Sequence, residues 1–117
     1  MDRLIDGPRS RAVVCHGNPL VGEDLRQLLL SEGAGEVLVI RSLDEVQIES
    51  DAIAFVEGSA KLLLQAVQIQ GWLRRGTPVV AMNGCGGMAS VPRGVHLLKQ
   101  PFRSEDVQNL LTQVKVF

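Results

Sequence analysis

The stretch Arg11-Ala-Val-Val-Cys-His16 passes through Gly17 into Asn18-Pro19 and then Leu20-Val-Gly-Glu-Asp-Leu-Arg-Gln-Leu-Leu29. Its first part is short and apolar on both faces, as a strand buried between two layers must be. Asn18 is suited to cap a helix, and Pro19 fits the first helical position, where its missing N–H leaves no bond unmade. Val21, Leu25, Leu28 and Leu29 then recur at helical spacing. Gly33 is placed to end that helix in a left-handed turn.

The same alternation continues along the chain. Val37 to Arg41 reads as a second strand, and Ser42-Leu-Asp-Glu45 matches a capping box opening a short helix. Ala52 to Val56 is a third strand. Ser59 is positioned to cap a long helix carrying Leu62, Ala66, Ile69 and Leu73 on one face, with Trp72 at the rim of that stripe and Gly76 as its stop. Val79 to Met82 and Val95 to Leu98 are the fourth and fifth strands, and Ser104 heads a last helix bearing Val107, Leu110, Leu111 and Val114. Strands of this kind, separated by helices, predict an α/β fold with a parallel sheet covered on both sides. Right-handed crossovers favour the flavodoxin-like, doubly wound five-stranded order 2-1-3-4-5. Asn83 to Gly94 contains Gly84, Gly86, Gly87 and Gly94, and glycine costs about 1 kcal/mol in a helix interior. The helix expected there is therefore predicted to be shortened or replaced by a loop.

Composition narrows the function classes. The 117 residues suit one domain, read as an N-terminal arm over 1–10 and a folded unit over 11–117. A charged fraction of 21 % and an apolar fraction of 45 % argue against disorder. No apolar run approaches the roughly 18 residues of a membrane span, and the first ten residues lack the apolar core of a signal peptide. A net charge of −1 gives no general affinity for nucleic acid. Arg3, Arg9, Arg11, Arg74 and Arg75 read as solvated surface charge. Cys15 and Cys85 form no motif, so reduced thiols and a cytoplasmic location are expected.

In such a fold the working site lies beyond the carboxyl ends of the strands, where His16, Gly17, Glu57, Asn83, Lys99 and Gln100 fall. Cys15 lacks the arginine six residues on that a phosphatase loop would need; that position is Val21. It reads as a small buried strand residue. His16, Cys85 and Glu57 share no close ligand spacing, so no metal site is assigned. Gly84-Cys-Gly-Gly87 precedes no helix and is not a phosphate-binding loop.

Three stretches resemble the receiver domains of two-component signalling. Val13-Val-Cys-His-Gly-Asn-Pro19 with the following helix resembles a receiver's opening, Thr77-Pro-Val-Val-Ala-Met82 its fourth strand, and Leu97-Leu-Lys-Gln-Pro-Phe102 the end of its fifth. The resemblance implies an aspartate at the end of the third strand that accepts a phosphoryl group, with Mg²⁺ held by it and by an acidic pair after the first strand. This chain departs at those positions. The acidic pair is His16 and Gly17. The acceptor falls on Val56 or Glu57, with Glu57 preferred because a carboxylate suits a polar cleft. The hydroxyl after the fourth strand becomes Asn83, and the lysine before proline becomes Gln100, with Lys99 one residue early and turned to the other face unless a bulge intervenes. Gln100-Pro101 resembles the family's cis peptide.

The resemblance therefore implies an atypical receiver: a binding module rather than an enzyme, with no catalytic residue, no cofactor and weak or absent Mg²⁺ binding. Its positions of interest are His16, Gly17, Glu57, Asn83, Lys99, Gln100 and Pro101. Two readings of Glu57 stand open: a carboxylate held where a phosphoryl group would sit, bonded by Asn83 and Lys99, or a solvated strand-end residue. The partner implied is a histidine kinase, a phosphotransfer protein or another regulator, with a homodimer as a further route and no direct contact with nucleic acid or membrane. The alternatives are a phosphorylation-competent receiver with unusual ligands and a receiver fragment of a longer transcriptional regulator.

Overall fold

The computed structural model describes residues 11–46, 51–58, 65–83, 94–99 and 102–115. Five strands form one parallel sheet: β1 (Arg11–Cys15), β2 (Glu36–Ile40), β3 (Ile53–Glu57), β4 (Val79–Asn83) and β5 (Val95–Lys99). Their order is β2-β1-β3-β4-β5, the flavodoxin-like order that the apolar pattern predicts. Among the described residues the helices are α1 (Pro19–Ser31), α2 (Val67–Arg74) and α3 (Ser104–Val114), with a 3₁₀ turn at Leu43–Glu45. The arm over 1–10, the segment 84–93 expected to replace a helix, and Gln100-Pro101 lie outside the described residues.

Alternation along the strands builds two cores. Ala12, Val14, Ile53, Phe55, Val80, Met82 and Leu98 pack with Leu25 and Leu29 of α1 and with Val107, Leu110 and Leu111 of α3. Val13, Cys15, Ala54, Val56, Val79, Ala81 and Val95 pack on the other face with Ile69 and Trp72 of α2 and with Leu43 of the 3₁₀ turn. The inner strands have no polar face because helices cover both sides.

Helix ends follow local chemistry. The Asn18 Oδ1 accepts the Leu20 N–H at 2.9 Å, with Pro19 at the first position. Past the end of α1, Gly33 (φ 114°) donates to Leu30 O while Ala34 donates to Leu29 O, a Schellman closure. Gly76 (φ 79°) and Thr77 close α2 the same way on Leu73 O and Trp72 O. Ser42 and Glu45 form their reciprocal capping box, though it opens only a 3₁₀ turn.

Four expectations need correction. The stripe through Ala66 and Leu73 is not one helix: Ala66 is extended (φ −69°, ψ 127°) and α2 starts afresh at Val67. No glycine or proline marks that break, and nothing among the described residues explains it; Ser59 and Leu62 lie outside them. Ser104 is the first residue of α3 and Arg103 its cap, whose N–H donates to Asp106 Oδ2 at 2.8 Å. Trp72 is fully buried, not at a rim. Arg11 is not a solvated charge, since its Nε lies 2.6 Å from Asp51 Oδ1.

These last two belong to one cluster at the amino ends of the strands. The Asp51 side chain has no exposed surface. Its second oxygen accepts the Trp72 Nε1–H at 2.8 Å, and its backbone carbonyl accepts the Thr77 hydroxyl at 3.2 Å. A buried carboxylate is tolerable only with such partners. Here they tie the starts of β1, β3 and β4 together and orient α2.

Candidate functional site

At the opposite pole, the carboxyl ends of β1 and β3 bring three of the sequence-predicted residues together. His16 leaves β1 with its backbone N–H still on the ladder, donating to Ile40 O at 3.0 Å. Glu57 ends β3, one residue past the fully buried Val56. Of the two positions the resemblance left open, Glu57 is the one that opens into the cleft. Its Oε1 accepts the Gly17 N–H at 3.0 Å, and its Oε2 stands 3.5 Å from His16 Nε2.

Glu57 thus reaches back to the turn between β1 and α1. The contact expected with the Asn83 side chain lies outside what is described. Lys99 makes no hydrogen bond or ion pair with Glu57, for a reason of register. β5 runs one-to-one beside β4 from Val95 to Lys99 without a bulge. Lys99 therefore shares the pleat face of Val95, whereas Glu57 continues the face of Ile53 and Phe55.

His16 is almost fully buried, and its hydrogen bonds assign its proton. The Asn18 N–H points at His16 Nδ1 at 2.9 Å. A nitrogen that accepts carries no hydrogen in the neutral ring, so the proton sits on Nε2, toward Glu57. A metal-binding imidazole needs the reverse, a bare ligating nitrogen and a donating partner nitrogen. Mg²⁺ further wants several hard oxygens in octahedral array. Glu57 supplies the carboxylate here, and His16 and Gly17 offer a donor N–H each. Among the described residues no group of three His, Cys, Asp or Glu is placed to hold a metal ion. The cleft does not fit the cation that the receiver resemblance implies.

Cys15, beneath the cleft, is a free, buried thiol. Burial pushes its pKa up to about 11, with the negative charges of Glu45 and Glu57 adding to the effect. A thiol so held is not a nucleophile at neutral pH.

No family model matches the chain, and no curated protein matches it in sequence. Solved structures do. The BeF3-activated conformation of SdrG from Pseudomonas melonis Fr1 superposes with a TM-score of 0.67 at 20 % identity, covering 92 % of this chain and 97 % of that one. The PhyR stress response regulator gives 0.65 at 18 % identity over 89 % of this chain, and the anti-anti-sigma factor PhyR from Bartonella quintana 0.62 at 17 % over 90 %. The chain spans less than half of each PhyR chain, 44 % and 46 %. At these identities the likeness shows the fold: a receiver-like doubly wound sheet shared with response regulators.

Among residues that the sequence reading passed over, Asp51 is the most consequential. A signal existed: in parallel register an acid just before β3 falls beside an arginine opening β1, so Arg11 and Asp51 share one rim of the sheet.

Proposed function

We propose that this chain is an atypical receiver that signals through protein contacts without aspartyl phosphorylation. The observation that carries the reading is the Glu57 carboxylate, engaged by the Gly17 N–H and facing His16. Phosphoryl transfer is mostly positioning and charge neutralisation. It needs an acceptor oxygen free to attack and a cation to neutralise the incoming oxygens. Here the strand-end carboxylate is held by donors of the β1–α1 turn, and that turn supplies no second carboxylate. The bond across the ends of β1 and β3 is made directly, where a receiver would make it through a metal ion.

The module is not an enzyme in this reading. Its partner is a histidine kinase, a phosphotransfer protein or another regulator, its setting cytoplasmic, and its route of output a partner or a second copy. No described helix is long and apolar enough to cross a membrane. Incubation with Mg²⁺ and acetyl phosphate, followed by intact-mass spectrometry, tests the reading. The expected result is an unchanged mass. A stable phosphoryl adduct that disappears in Glu57→Gln would establish the competing reading, a phosphoacceptor with unusual ligands.

A further inference from the structure

We infer that His16 is a proton-responsive element that sets the conformation of the β1–α1 turn. The inference goes beyond the reading of the cleft as inert to phosphoryl transfer and does not depend on it. The described turn requires a neutral ring, because Nδ1 must accept the Asn18 N–H. Protonation places a hydrogen on Nδ1, and two donors then face each other across 2.9 Å. That contact cannot persist, and Asn18 is the residue whose side chain and carbonyl start α1 by bonding Leu20 N–H and Gly22 N–H. The same proton strengthens the other side of the ring, where Nε2–H faces Glu57 Oε2 at 3.5 Å. One proton thus breaks the link to α1 and tightens the link to β3.

Glu57 faces the ring from the end of β3, and Glu45 of the 3₁₀ turn lies near the neighbouring Cys15. The ring itself is buried, and the first turn of α1 that follows it carries no acidic residue. Histidine is the side chain whose ordinary titration falls between pH 5 and 8. The surface reset by the switch is the first turn of α1, where Leu20 is 75 % exposed.

The test is an NMR titration of the ¹⁵N-labelled chain from about pH 8 to pH 5, without Mg²⁺ or phosphodonor, so that its outcome is separate from any phosphorylation result. At the upper pH the imidazole nitrogens should report the Nε2–H tautomer. As pH falls, the Asn18 amide should shift with the same midpoint as the ring and lose about tenfold of its exchange protection, the worth of one hydrogen bond. His16→Asn places a non-titrating acceptor oxygen near the Nδ1 position, and its Asn18 amide should stay fixed over the range. The inference is overturned by an Nδ1–H tautomer at pH 8, by a ring that stays neutral down to pH 5, or by a ring that titrates while the Asn18 amide does not move. It is equally overturned by a full Asn18 transition in folded His16→Asn.

Discussion

Asp51 and Cys15 show how far one side chain's surroundings decide its chemistry. Asp51 is buried and bonded by Arg11 and Trp72. Removing it takes the acceptor from the buried Trp72 indole N–H and one ionic partner from Arg11, and an unsatisfied buried donor is costly. Asp51→Ala should lower the unfolding free energy by about 3 kcal/mol, read as a shift in the urea midpoint of Trp72 fluorescence. Asp51→Asn keeps an acceptor for the indole and should lose about half as much. For Cys15, a thiol raised from 9.0 to about 11 holds its proton to higher pH in the folded chain than in the unfolded one. The thiolate fraction at pH 8 is then about 100-fold smaller in the folded state, and maleimide labelling of Cys15 in a Cys85→Ser background should slow accordingly. The sign for stability follows: the contribution is intact below about pH 9 and is lost as pH rises toward 11. Alkaline unfolding should therefore set in earlier for this chain than for Cys15→Ala, if the small cavity is corrected for by comparing the two at neutral pH.

At the level of elements, the sheet order and the helix positions were legible because their signals are local. Both-face apolar runs, Asn18-Pro19, Ser42 to Glu45 and the Gly33 and Gly76 stops each act within a few residues. The break at Ala66 was not legible, since no breaker residue marks it, and neither was the face of Lys99, since that depends on an unbroken ladder four residues away. The packing of α1 on β2 carries its own prediction. A Cβ at Gly22 would stand 2.9 Å from Val39 Cγ1, closer than side-chain carbons approach. Gly22→Ala gains about 1 kcal/mol in helix propensity, but overpacking costs about 1–3 kcal/mol. The net expectation is destabilisation by about 1 kcal/mol, visible as a lower Tm. In a Val39→Ala background the same change should be neutral or stabilising, because the obstructing methyl is gone.

For the whole molecule, the two poles of the sheet do different work. The amino ends are clamped by Asp51, Arg11, Trp72 and Thr77, and the carboxyl ends hold His16, Gly17 and Glu57. Sequence placed His16, Gly17 and Glu57 at the same end, but did not show the bond from the Gly17 N–H to Glu57, because the two are 40 residues apart and no spacing rule links them. It did show the loss of carboxylates, since that is a matter of residue identity alone. The central claim is that the Glu57 carboxylate bridges β1 and β3 directly and leaves no place for a cation beside a phosphoryl group. Beryllofluoride with Mg²⁺, added to the labelled chain while the Gly17 amide is followed by NMR, tests it most directly. The Gly17 resonance should stay where it is through millimolar additions. A saturable, Mg²⁺-dependent shift of that amide would contradict the account.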